Sequence, residues 1–227
     1  MTGDVSIDGF AVQHAVVAPE QLTSLLTQVE PLRERGESEA GMRLLLQRSE
    51  AVGHFACSAK LSSLARSALG EGVPKPVRAI LFDKTPSTNW YVTWHQDVTI
   101  AVKERIDVAG YGPWSIKSGV HHVQPPAAVL QNMVALRIHI DDSPLENGPI
   151  NFIPESHRLG ILDPQSIAEL RTQRQSVAVP AAAGDIILMK PLILHSSPVS
   201  SNPAHRRVLH IEYAAYDLPA GLQWTEA

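Results

Sequence analysis

The chain has 227 residues, 44% of them hydrophobic and 19% charged, with a formal net charge of -4. That composition excludes a disordered polyelectrolyte, and with no long basic run it argues against a nucleic-acid partner. A lone cysteine, Cys57, excludes an internal disulfide and a thiolate zinc cluster, so the ten histidines are the more informative count.

The opening MTGDVSIDGF lacks the basic-then-apolar pattern of a signal peptide. The most apolar run, residues 186–194, is interrupted by Lys190 and Pro191 and falls well short of the ~20 residues of a membrane span. A cytoplasmic protein without a membrane segment is expected, and Cys57 is expected to be a small buried residue.

Residues 1–72 read as mainly helical. Pro19 suits a first helical turn. Leu22, Leu25, Leu26 and Val29 then follow the i, i+3, i+4, i+7 spacing of one apolar face. Residues 42–47 read as a second short helix. Leu61, Leu64, Ala65, Ala68 and Leu69 mark another, closed by Gly70 and Gly72. From Val77 the period becomes two. Strands are predicted over 78–83, 90–102, 132–140, 150–153, 176–179, 185–195 and 206–213, separated by turn-rich segments at 85–87, 147–149, 183–185 and 197–203. Many short strands after a helical start predict one mainly β domain over 1–227. Its double-sheet, jelly-roll core would span 77–215, with helices packed outside. Segment 103–131 breaks the rhythm. It is long, rich in Gly and Pro, and follows the strand with the most chemistry, so it reads as a lid.

That strand carries Trp94-His95-Gln96-Asp97. Side chains two apart on a strand share a face. His95 and Asp97 are therefore expected to point together with Tyr91, Thr93 and Thr99 into a polar pocket, while Trp90, Val92 and Trp94 pack away from it. Residues 132–140 oppose Val134, Leu136 and Ile138 to Arg137 and His139. Residues 185–195 set His195 apart from Leu192 and Leu194. Residues 206–213 oppose Arg206, Val208, His210 and Glu212 to Arg207, Leu209, Ile211 and Tyr213. For any single strand, a half-solvated sheet explains such a pattern. Two histidines and a carboxylate, however, form the facial triad that covers one side of an octahedral Fe(II) and leaves three positions open. His-X-Asp alone is a weak signal. His195 is the candidate third ligand, and Arg206 or Arg207 behind it offers the bidentate clamp a dicarboxylate needs. His139 and His210 read as hydrogen-bonding pocket residues, His121 and His122 as loop surface, and Lys84 as solvated. Residues 155–158 read as structural.

WHQD (94–97), NGPINFIPESHR (147–158), the Gly184-Asp185 turn with its apolar strand, and HSSPVSSNPAHRR (195–207) occur in an order that resembles the phytanoyl-CoA dioxygenase family. The likeness covers most of the chain. It implies a double-stranded β-helix, cupin-like, with Fe(II) held by His95, Asp97 and His195 as the catalytic centre. It also implies 2-oxoglutarate as co-substrate, clamped by Arg206 with Arg207 as second choice, and Ser197 and Arg137 nearby. O2 and a small molecule would be the other reactants, succinate and CO2 products. Halogenating relatives carry a small residue where this chain has Asp97, so hydroxylation is implied. Arg137 stands where relatives often carry an aromatic residue, which points to a co-substrate contact or a polar or anionic substrate. Two other readings stay open: a cupin-type metalloenzyme that does not use 2-oxoglutarate, and a non-enzymatic jelly-roll binding module with structural histidines.

Overall fold

The computed structural model describes residues 3–33, 41–85, 87–202 and 205–227. Pro86 and Pro203, expected in turns, lie outside that set, as does part of the stretch expected to be helical.

Helices gather in the first third because apolar side chains recur there on one face. Helix α1 (Pro19–Val29) starts on Pro19, whose missing N–H is no loss in a first turn, and buries Leu22, Leu25 and Val29. Helices α2 (Leu45–Arg48), α3 (Glu50–Ala56) and α4 (Ala59–Leu69) follow. Ser49 and Ser58 cap α3 and α4 by accepting from the N–H groups of Val52 and Leu61. Two strands also fall in this region. Strand β1 (Phe10–Gln13) and the two-residue β2 (Gly41–Met42) are too short for alternation to show, and Met42 is extended where a helix was expected.

The remaining elements are β3 (Lys75–Lys84), β4 (Val92–His95), β5 (Ile100–Val102), β6 (Trp114–Lys117), β7 (Val120–Val123), α5 (Ala127–Gln131), β8 (Met133–His139), β9 (Ile150–Phe152), α6 (Pro164–Gln173), β10 (Val177–Val179), β11 (Ile186–Met189), β12 (His195–Ser197) and β13 (Arg206–Ala214). They form a six-stranded sheet ordered β1-β11-β8-β13-β3-β2, a four-stranded sheet ordered β10-β9-β12-β4, and a three-stranded sheet ordered β5-β7-β6. All described pairings are antiparallel.

One face of the large sheet packs on the helices. Ala79 and Leu81 of β3, Leu136 and Ile138 of β8, and Leu209 and Ile211 of β13 share a core with Leu22, Leu45, Val52 and Leu61. Each Leu, Ile or Val among them contributes roughly 1.5–3 kcal/mol of burial. Tyr213 lies in this core and donates its hydroxyl to Ala56 O at 2.9 Å, tying α3 to the sheet. The opposite face divides in two. Toward β1 and β11 it is apolar, with Phe10, Val12, Ala135, Ile187 and Met189 against Ile150, Phe152 and Val179 of the second sheet. Toward β13 and β3 it is polar, and a cavity of 460 Å³ opens there.

Two of the long strands expected from the sequence are each two strands. β4 ends at His95, and the chain turns before β5 enters the small sheet. β11 ends at Met189, and the chain crosses from the large sheet to the four-stranded one before β12. Pro191 lies in the second crossing, where its lack of an N–H would break a ladder. The breaks brace each other, because Asp97 N–H donates to Pro191 O at 2.9 Å. Segment 103–131, expected to be irregular, contains a hairpin of β6 and β7 followed by α5. His122 is buried in that hairpin, not on a loop surface, and Cys57 is exposed, not buried. Among the described residues no helix is long and apolar enough to cross a membrane.

Two buried imidazoles make stability depend on acid. Burial pushes His122 down to about 4 and His139 to about 3 from an ordinary 6.5. The unfolded chain takes up these protons below about 6.5, where the folded one does not, so stability present above that pH falls as pH drops toward 4. Urea unfolding is expected to give a lower midpoint at pH 4.5 than at pH 7.5. Equal midpoints would contradict the burial of both rings.

Candidate metal centre

His195 lies directly opposite His95 in the pairing of β12 with β4, whereas Ser197 lies opposite Val92. Three steps along β4 thus match two along β12, which is a bulge. The extra residue shifts the alternation, so Trp90, Val92 and His95 all line the cavity. Tyr91 is 50% exposed and Thr93 is exposed, which corrects the expectation that they line the pocket with His95 while Trp90 and Val92 turn away.

The histidine rings stand 4.2 Å apart, centroid to centroid. Asp97 follows the strand end. Its carboxylate oxygens lie 3.8 Å from His95 Nε2 and 3.7 Å from His195 Nε2. Among the described residues this is the one trio of such side chains whose ligand atoms all fall within 4.8 Å of one another. Both rings are oriented by backbone carbonyls: His95 Nδ1 is 2.7 Å from Thr93 O, and His195 Nδ1 is 2.9 Å from Ile193 O. A carbonyl only accepts, so Nδ1 carries the proton and the Nε2 lone pair faces Asp97. Burial pushes His195 down to about 4, against the pull of Asp97, which keeps it neutral near pH 7. Burial alone would raise Asp97, but in acid, where the imidazoles take up protons, attraction to His195 and His95 outweighs it and sets the carboxyl at about 2. Two imidazole Nε2 atoms and one ionised carboxylate turned toward one another fit a divalent ion that keeps further positions open.

Two other motif residues hold this group in place. Gln96 is buried, and its amide donates to Leu192 O at 2.7 Å and Gly160 O at 2.9 Å while accepting from Leu162 N–H at 2.8 Å. It therefore anchors the chain between His95 and Asp97. Ser156 accepts from Leu194 N–H at 2.8 Å and donates to Ile153 O at 2.7 Å, fixing the approach to His195. This accounts for the 155–158 segment as structural.

A second constellation lies on the same cavity. The Arg206 guanidinium donates to Gly148 O and, at 3.1 Å, to Ser197 Oγ. Ser197 Oγ in turn donates to Gly148 O at 3.0 Å. Gly148 has φ +58°, and a Cβ there would collide with Pro198 O, so only glycine brings this carbonyl into place. Arg207 points to the other face, with Nε and Nη2 each 2.7 Å from the Asp141 carboxylate. Arg206, not Arg207, therefore faces the cavity. Arg137 lies there too, 3.4 Å from His210 Nδ1 and over the Phe82 ring at 5.9 Å.

Lys84, expected to be solvated, is 3% exposed and donates to Ser197 Oγ at 2.9 Å and Pro198 O at 2.8 Å. Burial, with Arg206 and Arg137 nearby, pushes it down to about 7. Its burial follows from β3 running one residue past the expected strand end. The two-residue spacing of Arg78, Ile80, Phe82 and Lys84, all lining the cavity, was the available signal.

This donor set and fold define a non-haem iron, 2-oxoglutarate-dependent oxygenase. The chain belongs to the phytanoyl-CoA dioxygenase (PhyH) family, whose model matches residues 6–208. No curated protein matches it by sequence. Solved structures share its fold. The non-heme alpha-ketoglutarate-dependent carbocyclase SnoK from nogalamycin biosynthesis superposes with a TM-score of 0.71 at 15% identity, covering 98% of this chain and 84% of that one. AviO1 from Streptomyces viridochromogenes Tue57 gives 0.68 at 23% identity, covering 95% and 94%. EctD from S. alaskensis, crystallised with 2-oxoglutarate and 5-hydroxyectoine, gives 0.70 at 19% identity, covering 93% and 73%. EctD has also been crystallised with bound Fe.

Gln96→Ala is expected to weaken Fe(II) binding by about tenfold or more, read by anaerobic titration, because the loop carrying Asp97 loses its anchor. An unchanged affinity would remove Gln96 from this role. Gly148→Ala is expected to weaken 2-oxoglutarate binding by about tenfold, since the carbonyl that seats Arg206 must move. Unaltered binding would show that the seat tolerates a side chain.

Proposed function

We propose that this oxygenase hydroxylates a C–H bond of a small organic molecule: R–H, 2-oxoglutarate and O2 become R–OH, succinate and CO2. The observation that carries the reading is the placement of an ionised His-Asp-His group and a seated, cavity-facing arginine on one cavity. In this reading His95, Asp97 and His195 hold Fe(II). Iron held there supplies the redox chemistry, coupling O2 activation to oxidative decarboxylation of 2-oxoglutarate. Arg206 and Ser197 receive the far carboxylate of 2-oxoglutarate, with Lys84 beside them and Arg137 on the same wall. Asp97 fills the third protein position, so the protein leaves no gap there for a halide, which favours hydroxylation.

We read the six- and four-stranded sheets as the two layers of a double-stranded β-helix, jelly-roll and cupin-like, forming one domain over 1–227. The β6–β7 hairpin serves as its lid. Lys117 of β6 supports this, since it lines the cavity and donates to Thr99 Oγ1 at 3.3 Å. Covering the site would limit water around the reacting group. The free, exposed Cys57 fits a reducing cytoplasm.

The test is anaerobic loading with Fe(II) and 2-oxoglutarate, then exposure to O2. Succinate release is expected, with or without a substrate. Asp97→Ala should abolish tight iron binding. Arg206→Met should weaken 2-oxoglutarate binding about 10- to 100-fold and leave iron affinity intact. Arg207→Met should lower stability without changing 2-oxoglutarate affinity. No succinate, together with iron affinity unmoved by Asp97→Ala, would refute the proposal.

A further inference from the structure

Strands β3 and β13 run side by side as a ladder, and their cavity-facing residues measure its length. Arg206 pairs with Lys84 at one end, and Glu212 pairs with Arg78 at the other. Arg78 and Lys84 are six residues apart on one strand, roughly 20 Å of extended chain. The co-substrate cations thus occupy one end of the cavity floor. The other end carries a second set of cations that the co-substrate reading does not use.

Three side chains from three elements converge there. Arg78 comes from β3, Arg43 from the residue after β2, and Lys117 from the tip of β6. They face one carboxylate, Glu212, which is 2.9 Å from Arg78 Nη1 and 3.5 Å from His210 Nε2. Among the described residues Lys117 has one hydrogen bond, a long one to Thr99 Oγ1 at 3.3 Å. The Arg43 guanidinium has no hydrogen bond or ion pair among the described residues. Asp97 contributes negative charge but is committed to the metal in the reading above. Across the whole cavity, six cationic side chains meet two carboxylates. A bound 2-oxoglutarate dianion answers Arg206 and Lys84, and Glu212 answers Arg78. Positive charge on Arg43, Lys117 and Arg137 is left over, and Arg137 lies toward the co-substrate cations over the Phe82 ring, so Arg43 and Lys117 are the unanswered pair at this end.

We propose that the substrate carries an anionic group, a carboxylate or a phosphate, received by Arg43, Lys117 and Arg78 at the end of the cavity opposite Arg206. This rests on the iron and 2-oxoglutarate reading above. Guanidinium groups match both anions bidentately, and the ammonium adds a compact third donor. Partial burial supports the assignment: it lowers the pKa of Arg43 and of Lys117, and Arg78 lowers both further. An incoming anion would relieve that repulsion. Placing Lys117 on the hairpin gives the same contact a second consequence, because an anion held by Arg43 and Arg78 also draws the hairpin over the cavity. The volume of 460 Å³ must hold 2-oxoglutarate as well, so the anchored molecule is small.

The experiment uses protein loaded anaerobically with Fe(II) and saturated with 2-oxoglutarate, so that Arg206 is occupied. Iron and 2-oxoglutarate loading is recorded on its own first, from the charge-transfer absorption of the complex. Failure at that step counts against the function proposed above, and the anion titration is then run on the unloaded protein. Benzoate, phenyl phosphate and benzamide serve as matched probes, followed by calorimetry. Benzoate or phenyl phosphate is expected to bind, the stronger one naming the anion, and benzamide to bind at least tenfold more weakly. Arg43→Gln and Lys117→Gln should each weaken the anion about tenfold while 2-oxoglutarate affinity stays within about twofold. Equal binding of benzamide would overturn the proposal. So would anion binding unmoved by both substitutions, or an equal loss of 2-oxoglutarate affinity in both variants.

Discussion

The centre depends on one cross-strand pair. His95 and His195 occupy the same register position of two antiparallel strands, and their rings stand 4.2 Å apart. Burial disfavours a charge on His195, and both rings turn their Nε2 atoms toward Asp97. Each ring donates its Nδ1 hydrogen to the carbonyl two residues earlier in the chain. Asp97 completes the group only because β4 stops at His95. The turn that follows is held by its N–H on Pro191 O and by the Gln96 amide on three backbone groups. The local chain is bent away from regular sheet at this point, and Gln96 and Ser156 stabilise the bend.

The large sheet supplies the rest. Its helix-facing side is continuous apolar packing, which leaves the other side free to be polar toward β3 and β13. That side is unusual in holding Lys84 and Arg206 buried around one serine hydroxyl and one glycine carbonyl. Buried cations without carboxylate partners are costly, and both are pushed down by burial, Lys84 to about 7 and Arg206 to about 10. A dicarboxylate arriving there recovers that cost as binding, which is a physical reason for such a co-substrate. The His95, Asp97 and His195 group comes from the four-stranded sheet, and the buried cations it faces across the cavity come from the polar side of the large one.

Much of this was legible in the residue pattern, and the failures have local causes. Alternation along β13 is regular, because that strand pairs without interruption from Arg206 to Glu212. It separated Arg206 from Arg207, and the structure puts Arg207 on Asp141. Tyr91, Thr93, Trp90 and Val92 face opposite to the expected sides, because one extra residue in β4 reverses the alternation and no sequence period records a bulge. The 185–195 run looked like one strand since both pieces are apolar, although Pro191 marked the crossing. Strands β1 and β2 form by edge pairing and are too short to show a period. Arg43 and Lys117 reach the cavity from the flank of a two-residue strand and the tip of a hairpin. Tertiary placement alone brings them there.

The central claim is that one cavity seats iron on His95, Asp97 and His195 and 2-oxoglutarate on Arg206. The most direct measurement is an anaerobic crystal structure with Fe(II) and 2-oxoglutarate. The account predicts the metal bound by the two Nε2 atoms and the Asp97 carboxylate, with the far carboxylate of 2-oxoglutarate on Arg206 and Ser197. A metal bound elsewhere, or that carboxylate resting on Arg43 and Lys117 with Arg206 left on Gly148, would contradict it.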